Sequence, residues 1–186
     1  MRKLFIFTGC LLASSSVFAA SDSASSANMS NFNYDYVDAR IGLSPMTFGA
    51  GVSKSIHPNA HAILSLDSEF DNDYDLSAGL GFHAPVNNWA DITGEMLFKM
   101  VDDDTKKFDN DAGMEVNIGV RQWLGPQFEV AGKLGYYKIN NDADTDDVYG
   151  TISGRFHATE LFSIGLEGKL NYIYGDQLMI TTRFNF

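Results

Sequence analysis

The sequence predicts an all-β chain, folded as an antiparallel up-and-down transmembrane β-barrel of ten strands. Three observations predict it. Apolar side chains alternate with polar, charged or glycine positions over most of the length after residue 47, with the even numbers apolar. Turn signals divide that alternation into runs of about 10–13 residues, the length a tilted strand needs to cross a bilayer. The longest and most acidic connections between runs all fall at one end, as they do when strands shuttle between two unlike sides.

Taken in order, the alternation places strands at 33–43, 47–56, 60–70, 74–84, 90–101, 112–124, 127–139, 147–158, 161–173 and 177–186. Eight strands is the alternative count, with 33–56 less regular. In the third run Ala62, Leu64, Leu66 and Phe70 share one face; in the sixth it is Met114, Val116, Ile118 and Val120; in the ninth Phe162, Ile164, Leu166, Leu170 and Tyr172. The first run breaks phase, because Val37, Ala39, Ile41 and Leu43 make its odd positions apolar. A bulge or an odd-length loop near Ser44-Pro45 is expected to restore it.

Before the barrel, Arg2 and Lys3, the apolar run Leu4–Leu12 and small residues up to Val17-Phe18-Ala19 read as a secretory signal, residues 1–19, with Ala20 the alternative cleavage point. The lone Cys10 lies inside it. Phe7-Thr8-Gly9-Cys10 imitates a lipoprotein signal, but too little apolar chain precedes the cysteine for export. A mature chain without a thiol has no disulfide or thiolate chemistry. Residues 20–31, rich in Ser, Ala and Asn without a period, read as a flexible periplasmic lead-in, and 32–186 as the barrel. No later stretch approaches the ~20 apolar residues of a membrane helix. Removing Arg2 and Lys3 leaves 11 basic residues against 24 acidic, a net charge near −13 that disfavours nucleic acid as a partner.

The chain ends on Leu178, Ile180, Thr182, Phe184 and Phe186, one face of a strand with no tail beyond it. This resembles the closing strand of Gram-negative outer-membrane barrels, and the chain as a whole resembles the small OmpA/opacity-type barrels in pattern and topology. The resemblance implies an outer-membrane location, periplasmic termini, and Phe186 as an assembly signal read by the barrel-assembly machinery. It also implies outer-membrane lipid and lipopolysaccharide as surroundings. With the N-terminus periplasmic, the turns at His57-Pro58-Asn59, 84–88, Gly125-Pro126-Gln127 and Thr159-Glu160 lie inside. The connections at 44–46, 71–73, 102–110, 140–147 and 174–176, the longest and most acidic among them, lie outside.

A soluble calycin-type barrel has the same period with the faces reversed. The polar face decides between them. It carries charges of both signs at mid-strand: Arg40, Asp67, Glu95, Lys99, Glu115, Arg121, Lys133, Arg155, Glu167, Lys169 and Arg183. With them come glycines at 49, 51, 79, 81, 119, 135 and 165 that make room in a narrow lumen, while aromatics on the apolar face gather near strand ends, Phe48, Phe82, Phe156 and Tyr172 among them. The expected lumen is a lattice of opposite charges, filled by side chains rather than open as a wide pore.

No catalytic or cofactor site is expected. His57, His61, His83 and His157 all fall at the periplasmic end in this topology, whereas resemblance to the outer-membrane proteases or lipid A-modifying enzymes would imply catalytic groups toward the outer rim. Asp142, Asp144 and Asp146 imitate positions 1, 3 and 5 of a calcium loop, but position 6 is Asp147 rather than Gly and position 12 is Ser153 rather than Glu, so the motif fails. Trp89 and Trp123 are expected near the periplasmic interface, with Trp123 on the inward parity. The functional expectation is a non-enzymatic barrel displaying acidic extracellular loops for envelope integrity or surface interaction. The alternatives are a narrow porin-like channel for ions or small solutes and, third, an outer-membrane hydrolase.

Overall fold

A computed structural model describes residues 30–103, 108–141 and 145–186. The predicted signal 1–19, residues 20–29 of the lead-in, Asp142 and Asp144 lie outside the described residues. Ten strands follow one another: β1 (Tyr36–Gly42), β2 (Phe48–His57), β3 (Ala60–Ser68), β4 (Tyr74–Asn87), β5 (Ala90–Asp102), β6 (Asp111–Trp123), β7 (Phe128–Ile139), β8 (Thr145–His157), β9 (Phe162–Tyr172) and β10 (Gly175–Asn185). Each pairs antiparallel with its sequence neighbour, and β1 pairs with β10 from Tyr36↔Asn185 to Gly42↔Met179, closing the barrel. Closure leaves no strand edge with unpaired amides, the condition for a sheet inside a bilayer.

The two faces are assigned as the alternation requires. Leu64, Ile118 and Leu166 are about half exposed on the outside, while Lys99, Asp91, Asp75 and Glu115 are buried within. This inverts a soluble protein. A band of exposed Leu, Ile, Val and Phe encircling the barrel is tolerable only against acyl chains, so the soluble-barrel alternative falls.

The constant parity has a mechanical cause. Two-residue turns separate His57 from Ala60, Asn87 from Ala90 and Tyr172 from Gly175, and alone would switch the outward face. A register shift follows each, between Ser55 and His57, Pro85 and Asn87, and Gly175 and Gln177, and restores it. The exception at β1 works otherwise than expected. There is no bulge and no odd-length loop: Ile41 faces Phe48 across residues 42–47, an even number, and that length alone switches the parity.

A second difference lies at the end of β9. Tyr172, assigned by parity to the apolar face, turns inward, and its hydroxyl lies in the lumen. Asn171 takes a left-handed conformation (φ 57°), which asparagine tolerates, and slips the alternation by one residue. Asp75, two residues past the acidic connection 71–73, is an inward residue of β4 and buried.

Residues 30–35 were expected to be partly flexible lead-in and partly the start of the first strand. Instead they leave the sheet and enter the mouth that also holds the C-terminus. Ser30 and Asn31 are tied to the Asp91 carboxylate, by the Ser30 hydroxyl at 2.5 Å and the Asn31 amide at 2.7 Å. Tyr34 and Phe32 are buried.

Candidate functional site

The lumen gathers most of the buried charged side chains among the described residues, and it is built in three layers along the axis. Nearest the termini is an aromatic plug. Phe32 stacks on Trp123 at 5.1 Å, and the Trp123 indole donates to the Asn31 carbonyl at 3.1 Å. Tyr34 stacks on His83 at 3.8 Å, and Ser53 donates to its carbonyl at 2.6 Å. The Arg121 guanidinium lies over both rings, at 4.4 and 4.8 Å.

The middle layer is ionic. Arg40 bridges Asp38 and Asp67, the latter at 3.0 Å, and Lys169 reaches Asp67 at 3.7 Å. Lys133 pairs with Glu95 at 2.8 Å, and the Asn117 amide donates to the same carboxylate at 2.9 Å. Arg121 donates twice to Glu129, at 2.8 and 3.1 Å, and His157 meets the same carboxylate at 2.9 Å. Arg155 donates only to hydroxyls, Thr181 at 2.9 Å and Ser163 at 3.3 Å. Arg183 stacks over the Tyr36 ring at 3.8 Å. Glu167 lines the same space, beside Arg40 and Lys133.

Toward the opposite rim, Lys99 is fully buried. Its ammonium meets Asp75 at 2.8 Å and Glu115 at 3.3 Å, and donates to Ser77 at 3.0 Å and Tyr172 at 2.8 Å. Tyr149 and Tyr172 each donate to Glu115. Each polar atom around the ammonium is therefore partnered, the condition for keeping charges away from bulk water. Over this cluster sits an apolar cap of Val101, Phe108, Tyr137 and Ile139, with Ile173 against it. Phe108 comes from the long β5–β6 connection and folds into the mouth.

The inward glycines belong to the same packing. A side chain at Gly81 would overlap His61, and one at Gly135 would overlap the Tyr149 ring. Space between facing strands, rather than backbone conformation, demands glycine there.

All eleven lumen charges singled out by parity line this interior. What sequence reasoning missed is their partners Asp38, Asp75 and Glu129, the Asp91 carboxylate that holds Ser30 and Asn31, and the aromatic residues at both mouths. Inward parity was a usable signal for Glu129 and Asp91. Nothing in the sequence announces the plug at 30–35, where no period exists.

The histidines collect at the rim of the termini. His61 and His83 are buried with Nδ1 atoms 3.1 Å apart, and His157 is held by Glu129. Outside the strands, Asp73 organises its own loop. It accepts from the backbone of Glu69 at 2.8 Å and Asp71 at 3.1 Å, and from the Tyr174 hydroxyl at 2.7 Å. Burial pushes its carboxyl up, but these donors outweigh that and hold it below the usual carboxylate range. Asp146, of the failed calcium motif, accepts from the Tyr136 hydroxyl at 3.0 Å. Phe186 lies under Lys54, whose ammonium is 5.0 Å from the ring centre.

This combination of a closed ten-stranded cylinder, an apolar outer belt and an ionic, side-chain-filled lumen defines a transmembrane β-barrel. Among solved structures the chain is similar to a KdgM porin in complex with disordered oligogalacturonate, at 9% identity and a TM-score of 0.53, covering 81% of this chain and 99% of that one. It is also similar to a NanC porin (10% identity, TM-score 0.47, 81% and 98% covered) and to a de novo designed transmembrane β-barrel (12%, 0.43, 83% and 98%). The first likeness shows a shared porin-like barrel fold. No protein-family model and no curated protein matches the chain.

Proposed function

We propose that the chain is a non-enzymatic outer-membrane β-barrel protein, closed at rest, that displays acidic loops outward and serves envelope integrity or surface interaction. Its termini are periplasmic in this reading, its belt meets outer-membrane lipid, and its loops meet lipopolysaccharide. Phe186 is the residue the barrel-assembly machinery reads.

One observation carries it: both mouths are obstructed, by Phe32 and Tyr34 at one end and by the Phe108 cluster at the other, with a largely ion-paired layer between. A wide pore would leave the axis clear. A second reading, a narrow porin-like channel, is favoured by two charge-lined cavities between the plugs, of about 150 and 90 Å³. Planar-bilayer recording on refolded protein separates the two. Flat traces at several voltages support the closed barrel; stepwise conductance overturns it in favour of the channel.

A further inference from the structure

Beside the plug, the mouth holding the termini keeps a cavity of about 480 Å³. Arg183 lines it and also lines both inner cavities, so it stands between vestibule and lumen. Its Nε and Nη1 are buried without a hydrogen-bond partner among the described residues. Arg155, one of its charged neighbours, is bonded only to hydroxyls.

The nearby carboxylates do not supply the missing acceptor. Glu129 is committed to Arg121 and His157, and Glu95 to Lys133. Glu167 lines the inner cavities without a hydrogen bond or ion pair to either arginine, and Glu160 lines only the vestibule. Two adjacent guanidinium groups repel one another, and buried donors without acceptors are costly. A planar, permanently charged donor suits an oxyanion, and one bound here would relieve both conditions.

We propose that Arg183 and Arg155 form a binding site for a small oxyanion, a phosphate or carboxylate, entered through this vestibule. The site stands whether or not the lumen conducts.

The test is calorimetric titration of refolded protein, in a non-ionic detergent free of phosphate, at constant ionic strength. Inorganic phosphate and acetate are the two free-anion arms, and phosphatidylglycerol in mixed micelles is the lipid-headgroup arm. The expected result is saturable binding of at least one free anion, weakened at least about tenfold in R183Q and weakened in R155Q. K54Q, at an exposed ion pair, should bind as the wild type does. Absence of saturable binding by either free anion in the wild type overturns the proposal. So does undiminished affinity in R183Q, or a response confined to phosphatidylglycerol. Heat-shifted gel mobility checks folding; should R183Q not fold, the wild-type and R155Q titrations decide.

Discussion

Replacing Lys99 with methionine asks how dry the far half of the lumen is. The ammonium is fully buried and stands 2.8 Å from Asp75 and 3.3 Å from Glu115. K99M keeps much of the side chain's length but leaves two carboxylates without a cation. Breaking a buried pair in this way costs about 3–5 kcal/mol, because the partner's charge stays behind. The hydroxyls of Tyr149 and Tyr172 still donate to Glu115, which puts the expected loss toward the lower end of that range. Were the cluster bathed in bulk water, the same change would cost only about 0–1 kcal/mol. The assay is guanidinium unfolding of protein refolded into lipid vesicles, followed by tryptophan emission. The triple variant D75N/K99M/E115Q removes the stranded charges and should recover most of the loss. A K99M loss below about 1 kcal/mol, or a triple variant no better than the single, would refute the dry, ion-paired interior.

Three further outcomes follow from other parts of the barrel. G135A forces a Cβ into the Tyr149 ring and should destabilise by about 1–3 kcal/mol, whereas G154A on the outward face, with no atom nearer than 3.8 Å, should be close to neutral; equal effects in the same unfolding assay would contradict the inward/outward assignment. F32A/Y34A removes both stacked anchors of the plug but no strand-to-strand hydrogen bond. The barrel should stay folded while the backbone amides of residues 30–35 lose protection from hydrogen exchange relative to the wild type, and unchanged protection would mean the segment is held by something else. Asp73 has a folded value below its ordinary 3.8, so it stabilises its loop above that pH and loses the contribution as pH falls through the lowered value. The protection factors of the Glu69 and Asp71 amides, exchange rates taken relative to the intrinsic rate at each pH, should therefore fall at acid pH in the wild type and be low throughout in D73N; identical profiles would exclude Asp73 as the organiser.

The sequence by itself determined the strands and their faces. A side chain's face in a strand is a local property of period two, so Leu64, Ile118 and Leu166 were assigned outward and Lys99, Glu115 and Arg121 inward without knowing any neighbour. The terminal alternation from Leu178 to Phe186 likewise marked the strand that closes onto β1. Phase was less secure, because one residue decides it. A left-handed Asn171 turned Tyr172 from the lipid side into the lumen, and the even length of 42–47 replaced the expected odd loop.

Only the tertiary structure decided which charges meet. Lys99 finds Asp75 across one strand pair but Tyr172 from β9 across the lumen, and that pairing depends on strand stagger and barrel closure, which alternation does not encode. The same holds for the two plugs. Residues 30–35 have no period and Phe108 sits in an acidic connection, so their burial is set by the space the closed cylinder leaves at its mouths.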